Sequence, residues 1–361
     1  MQTRRQWMRA AAVGAAAPLA ACGAEQAYEQ AVTATWQLPQ KLPAEATAVR
    51  RELVRCATLA PSSHNTQCWK FRIAASSIDI VADLSRRCPV VDPDDHHLHV
   101  SLGCAAENLI QAAPRHGLHA EASFDATMGI RVALQAASAS IPPLYAAIAQ
   151  RQSTRGDYDG RPLGTDELRL LEAAGSGRGT QVMLLTAKPA MEQVLELVLA
   201  GNTAQLQDSA FVEELKAWIR FSGDEAVRRG DGLYAASSGN PTAPRWLGSR
   251  LFDLFVTADG ENDKYRRQVR SSAGIAVFFS EADDAAHWVE VGRSVERFAL
   301  QATALDIRHA YVNQPVEVAA LRAQLAALLG IGSRRPDIVV RFGRGPRLPA
   351  SLRRPLPAVL V

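Results

Sequence analysis

The sequence predicts a mixed α+β fold, and three observations carry that expectation. Val49, Leu53, Cys56 and Ala60 recur at helical spacing, as on one apolar helix face. Ser77-Ile78-Asp79-Ile80-Val81-Ala82-Asp83 alternates as a half-buried strand does, and Ile275-Ala276-Val277-Phe278-Phe279 is a short apolar run of the buried-strand kind. Finally, His99-Val100-Ser101-Leu102-Gly103 can be laid over Trp288-Val289-Glu290-Val291-Gly292. Without a gap, Glu107 then meets Glu296, Ala113 meets Ala302 and Leu118 meets Ile307. A duplicated α+β unit folded as a pseudo-dimer leaves such a trace, and two unrelated amphipathic helices could share it as well. The separation is too long for a solenoid repeat.

A chain of 361 residues, 47% hydrophobic, suffices for two ordinary domains or one large one and can bury a substantial core. Five cysteines with no Cys-x-x-Cys argue against zinc and thioredoxin chemistry. The opening Thr3-Arg4-Arg5-Gln6-Trp7-Met8-Arg9, the apolar run Ala10 to Ala17 and Pro18-Leu19-Ala20-Ala21-Cys22-Gly23 have the parts of an export signal. The paired arginines resemble a twin-arginine signal, and Leu19-Ala20-Ala21-Cys22 resembles a bacterial lipobox, with Cys22 as the lipidated mature terminus. The expected location is therefore periplasmic or lipid-anchored to the cell envelope. Removing residues 1–21 removes three arginines and no acid, leaving 37 basic against 37 acidic residues, and nothing supports nucleic-acid binding. No other segment reaches 18 uninterrupted apolar residues, so membrane attachment is expected only through a lipid on Cys22.

Residues 22–44 read as a linker, with Trp36, Leu38, Pro39, Leu42 and Pro43 suggesting an extended segment. A first unit is expected over 45–143: a helix from Glu45, a strand after a polar loop, and the strand at Ser77. Asp92-Pro93-Asp94-Asp95 caps a helix that ends near Gly117, and Met128 to Ala137 reads as a further strand. A second unit is expected over 144–361. It has helices near Thr165–Ala174, Pro189–Ala200 and Ser209–Phe221, and strands at Gln181–Thr186 and Ile275–Phe279. A long helix with Val291, Val295, Phe298, Ala299, Ala302 and Leu305 on one face follows. The stretch about 228–263, rich in Gly, Ser, Asn and Asp, reads as a lid-like insertion with short helical pieces around Trp246 to Phe255.

Between the first helix and its strand lies Ala60-Pro61-Ser62-Ser63-His64-Asn65-Thr66-Gln67-Cys68-Trp69-Lys70-Phe71. Pro61 stops the helix, because it has no amide proton and its ring obstructs the preceding turn. The hydroxyl and amide side chains that follow could hydrogen-bond a planar polar heterocycle without presenting charge. They are also what an ordinary polar turn contains.

Ala60-Pro61-Ser62-Ser63-His64-Asn65-Thr66-Gln67-x-Trp69 resembles the flavin loop of the nitroreductase superfamily, and Arg151-Gln152-Ser153-Thr154-Arg155 resembles its Arg-x-Ser-x-Arg/Lys signature. Ordinary members carry each motif once, in the opposite order, and two identical subunits build each FMN site across their interface. The order here is similar to the Acg branch, as are Asp92-Pro93, the continuation Arg155-Gly156-x-Tyr158-x-Gly160-Arg161-Pro162 and the tail Arg353-Arg354-Pro355. In that branch duplication has fused the dimer into one chain. The resemblance spans about residues 45–357. It implies a nitroreductase-like fold of two tandem repeats forming an intramolecular pseudo-dimer, a pseudo-dimeric monomer, and FMN as cofactor.

The resemblance also implies roles. Arg151 and Ser153 would serve the phosphate and ribityl oxygens, and Arg155 would lie beside the ring edge where positive charge stabilises reduced flavin. Arg353 and Arg354 occupy the place of the C-terminal phosphate ligands. Ser62, Ser63, Asn65 and Gln67 would come from the other half, with Asn65 nearest the pyrimidine edge. Asn313 and Gln314 follow the second long helix where relatives place backbone amides over the flavin, although the usual Glu-Gly pair is absent here. Cys68 stands where relatives usually have Pro.

Asp94-Asp95-His96-His97-Leu98-His99 has the residue types of a metal site, but a helix start is where Asp is favoured anyway, so no metal is expected. Ser62 or Ser63 beside His64 lacks any nucleophile elbow. No acid–base residue is nominated, because the cofactor carries the chemistry in this class. The expected activity is hydride transfer by an FMN-dependent oxidoreductase, with NAD(P)H as possible donor and a nitroaromatic, quinone or similar acceptor. The alternative is a protein that stores FMN with little turnover.

Overall fold

The computed structural model describes residues 25–361. The arginine-rich start, the signal-like run and Cys22 lie outside the described residues. Residues 25–36 are helical (α1). The first half continues with α2 (Ala46–Thr58), β1 (Trp69–Ile73), β2 (Ser77–Ala82), α3 (His96–Ala112), β3 (Leu118–Asp125) and β4 (Gly129–Ala136). A short α4 (Tyr145–Ile148) leads to α5 (Thr165–Gly175) and β5 (Thr180–Leu185). The insertion contains α6 (Lys188–Gln207), α7 (Ser209–Trp218), β6 (Ile219–Arg220), α8 (Gly223–Arg229), β7 (Leu233–Tyr234), α9 (Arg245–Phe255) and α10 (Ala258–Arg270). The chain closes with β8 (Gly274–Ser280), α11 (Ala285–Ala304), β9 (Arg308–Tyr311), α12 (Gln314–Glu317), α13 (Ala319–Leu329) and β10 (Pro336–Gly343).

Both large sheets are antiparallel and share one strand order: β1-β2-β4-β3 in the first half and β5-β8-β10-β9 in the second. In the first half α2 precedes the edge strand β1 and packs on α3; in the second, α5 precedes β5 and packs on α11. The halves differ where β1 turns directly into β2, because α6 to α10 are inserted between β5 and β8.

The two long helices α3 and α11, the pair matched by the sequence overlay, cross at the centre. A Cβ on Gly103 would sit 2.1 Å from the Val289 carbonyl oxygen, and one on Gly292 would sit 2.0 Å from that of Val100. Gly103 overlays Gly292 and Val100 overlays Val289, so the contact is reciprocal, as across a two-fold axis. Only glycine lets the backbones approach this closely. One continuous core joins the halves, with Leu53, Phe71, Ile80 and Leu102 packed together with Phe278, Phe298 and Phe342.

The chain also closes two sheet edges. Phe71 donates its amide to Val359 O (2.8 Å) and accepts from Val361 N (3.0 Å), so the C-terminus runs parallel to β1. Ser153 bridges His309 on β9 in the same sense, and Thr154 N donates to His309 O (2.8 Å). Covered edges leave no unpaired ladder for another chain.

Three local expectations need correcting. Residues 25–36 are helical rather than extended, because Tyr28 buries its ring against Tyr234, Ala226 and Leu352. In the 228–263 stretch the helical piece expected around Trp246 to Phe255 is α9, while β7 and the start of α10 replace loop on either side of it. Strand β3, absent from the sequence reading, alternates only weakly and is held by its full register against β4. Among the described residues no helix is long and apolar enough to cross a membrane.

Candidate functional site

The polar loop is a strained clamp. Pro61 ends the α2 segment, and a 3-10 turn follows at Ser63–Asn65. His64, Asn65 and Gln67 adopt φ of 47°, 52° and 54°. Left-handed backbone costs an ordinary L-residue roughly 1–2 kcal/mol, least for Asn. Side-chain bonds hold the loop in place. Asn65 Nδ2 donates to Gly232 O (2.9 Å) and Leu352 O (3.2 Å), and Gln67 Nε2 donates to Gly230 O (2.8 Å). Ser62 Oγ accepts from Gln67 N at 2.9 Å, and Gly232 N donates to Asn65 O at 3.1 Å. The loop thereby grips both the base of the insertion and the C-terminal tail.

Beside it lies a cavity of about 290 Å³. Ser62, Ser63 and His64 come from the loop, Val100, Ser101 and Cys104 from α3, and Arg155 from the crossing segment. Tyr311, Asn313 and Gln314 come from the far side, with Phe252 and Val256 at the end of α9 completing the wall. Both halves therefore contribute. The size is close to that of small-molecule sites.

Arg155 is the distinctive member. Among the described residues its guanidinium makes no hydrogen bond and no ion pair, although it faces the cavity. Burial pulls its pKa below the ordinary arginine value, with Tyr265, Tyr311 and Tyr158 working the other way. The other cations in the wall are engaged: Arg341 donates to Gly156 O (2.8 Å), and Lys264 donates to Asn240 Oδ1 (3.2 Å). The guanidinium is half-buried and opens onto the cavity, where an anionic or carbonyl-rich planar ligand would supply the acceptors it lacks.

The expected site residues divide. Ser62, Ser63, Arg155, Asn313 and Gln314 line the cavity. Asn313 Oδ1 accepts from Val339 N (3.0 Å), whereas Gln314 Oε1 is buried without a partner. Asn65 and Gln67 are spent on the clamp. Arg151 donates to Leu59 O (2.7 Å) and lies against Glu296 (Nε to Oε1 3.1 Å) without alignment for a hydrogen bond. Arg353 donates to Thr58 O (2.7 Å), Leu59 O (3.0 Å) and Ala60 O (3.1 Å). These two arginines therefore cap the carboxyl end of α2, whose orphan carbonyls favour cations. Arg354 donates to Gln67 O at 3.1 Å. Ser153 Oγ is buried without a partner, as are both ring nitrogens of its neighbour His309.

Sequence reasoning missed His64 and His97 as wall residues. Burial, then Arg155 and His97, lowers the His64 pKa to about 4, so this ring is neutral. His97 is raised despite its burial, because Asp92 lies 3.4 Å from Nδ1. Asp92, His96 and His97 converge as metal ligands would, but their bonds are already assigned. Asp92 accepts from His97 N and Leu98 N at 2.9 Å each, and His96 Nε2 lies 2.9 Å from Asp337 Oδ1.

No protein-family profile matches the chain. Two Mycobacterium tuberculosis proteins, each named "Putative NAD(P)H nitroreductase", from strains H37Rv and CDC 1551, are 26% identical over 335 residues. The match covers 86% of this chain and 90% of each relative. The chain resembles them along most of its length. Solved structures similar to parts of the chain include a nitroreductase with bound FMN from Desulfitobacterium hafniense, 15% identical with TM-score 0.39, covering 60% of this chain and 96% of that one. The FMN-dependent nitroreductase NfnB from Mycobacterium smegmatis, in complex with NADPH, is 16% identical with TM-score 0.36, covering 56% and 87%.

Proposed function

We propose that this chain is an FMN-dependent oxidoreductase of the nitroreductase type. The observation that carries the reading is the unpaired Arg155 guanidinium facing a cavity built by both halves. The likeness to proteins named as NAD(P)H nitroreductases supports it. The residues present suit the cofactor. Arg155 would hold the electron-rich ring edge, and Ser62, Ser63, Asn313 and Gln314 would bond its polar atoms. The buried Ser153 Oγ and His309 nitrogens have no protein partner and would take ribityl or phosphate oxygens. Arg151, Arg353 and Arg354 would join them by exchanging carbonyl partners for phosphate oxygens.

When bound, FMN supplies two-electron hydride chemistry. The protein contributes position and charge. Arg155 favours negative charge at its end of the cavity, while neutral His64 adds none. Phe252 and Val256 limit water at the other. NAD(P)H is the proposed donor, and a nitroaromatic or quinone the proposed acceptor. The shared strand order and the reciprocal glycine contact support internal duplication into units 45–143 and 144–361, an Acg-like arrangement. Export through a twin-arginine signal, with Cys22 lipidated and the protein at the cell envelope, completes the proposal.

One observation favours storage instead. Leu233, Ala235, Phe252 and Val256, all from the 228–263 stretch, line the cavity. Anaerobic reduction of the purified protein followed by quinone separates the readings. Rapid reoxidation supports the enzyme, whereas a reduced flavin that never passes its electrons on supports storage. A colourless protein that takes up no FMN removes both.

A further inference from the structure

We propose that the outer face of helix α9 docks onto a lipid bilayer. Trp246, Leu254 and Phe255 are 67%, 68% and 69% exposed, and Leu251 is 37% exposed. Scattered exposed apolar residues are normal, but four large ones on an 11-residue helix form a patch. The helix is two-sided. Trp246, Arg250 and Leu254 lie one turn apart along the outer stripe, whereas Gly248 abuts the Phe221 ring and Phe252 reaches the cavity. An indole and aliphatic side chains beside an arginine suit the headgroup–acyl boundary. The acid within the face, Asp253, is paired with Lys216 at 2.8 Å.

The path of the chain argues for lipid over a second copy. Glu25 lies one turn before Tyr28 on α1, and the Tyr28 and Tyr234 rings are 4.8 Å apart. Helix α8 joins this corner to α9, since Ala226 packs with Tyr28 while Glu225 pairs with Arg245 at 2.6 Å. Cys22 is three residues before Glu25, a reach of roughly 10 Å. A lipid there would hold α9 against the same surface. Two weak attachments together give stable anchoring where one gives only reversible contact. The helix then stands between bilayer and cavity.

The test uses the full chain with Cys22→Ser, so that no lipid contributes, in sedimentation with phosphatidylcholine vesicles with and without phosphatidylglycerol. The chain should pellet with vesicles. Combining Trp246→Ser, Leu254→Ser and Phe255→Ser should cut partitioning on the order of tenfold or more. Trp246→Ser alone should give a smaller loss at unchanged melting temperature, and Leu84→Ser with Ile141→Ser should bind like the parent. Failure of the parent to bind either vesicle overturns the proposal, as does equal binding by the triple variant. A parent dimer that the triple variant abolishes, with no vesicle binding, would make a second copy the occupant and equally refute it.

Discussion

Gly103→Ala tests whether the two halves meet through a reciprocal contact. The new methyl would lie 2.1 Å from Val289 O, a backbone atom that no rotamer change can move. Relief requires α3 and α11 to separate by roughly an ångström, and overpacking of this kind costs about 1–3 kcal/mol. The backbone clash places it at the upper end, near 3 kcal/mol. Alanine returns about 1 kcal/mol of helix propensity, leaving a net loss of about 2 kcal/mol. Gly292→Ala meets Val100 O at 2.0 Å and should cost the same. Because one separation admits both methyls, the double variant should lose clearly less than the sum of the singles. Urea unfolding of the four proteins measures this. Neutral singles, or strictly additive losses, would refute the reciprocal crossing.

Arg155→Ala should lose bound FMN far more readily than the exposed control Arg267→Ala, read as flavin retained through gel filtration. Arg151→Ala should instead destabilise the fold as well, because it strips the partner from buried Glu296, already pushed up to about 7 by burial; urea midpoints with and without FMN show it. Asn65→Ala leaves the Gly232 and Leu352 carbonyls unpaired and keeps a strained φ, so it should cost about 1–3 kcal/mol and speed proteolysis between 228 and 240. Asp337 is raised to about 7 by burial, so between about pH 4 and 7 the folded state binds the extra proton and stability falls as pH rises. Asp337→Asn should remove up to about 1.4 kcal/mol per pH unit of that fall, and unchanged stability–pH profiles would contradict it.

Much of the fold was legible because burial writes a period into the sequence. Ser77–Ala82 and Gly274–Ser280 match their apolar patterns within a residue or two, and Ala285–Ala304 contains the face read from Val291 to Ala302. The Gly103–Gly292 overlay was legible for a different reason: close backbone approach tolerates no side chain, so the contact leaves glycine in both halves. Helix 25–36 was read as extended because Pro39 and Pro43 follow it closely, and its fixing contact, Tyr28 on Tyr234, is remote in sequence. At the site, residue types indicated which groups were polar but not which partner each would choose. Arg151 and Arg353 read as phosphate ligands, yet in the structure helix carbonyls occupy them. His97 lay inside a stretch read only as a helix start, and its place on the cavity wall depends on α3 crossing to face Asn313.

The central claim is a flavin site completed by Arg155 between the two halves, and the most direct measurement is the visible absorption of the purified full chain with FMN quantified per chain. A yellow protein, or a colourless one that turns yellow and binds FMN stoichiometrically on addition, with both behaviours lost in Arg155→Ala, is the predicted result. A folded chain that stays colourless and takes up no FMN would contradict it.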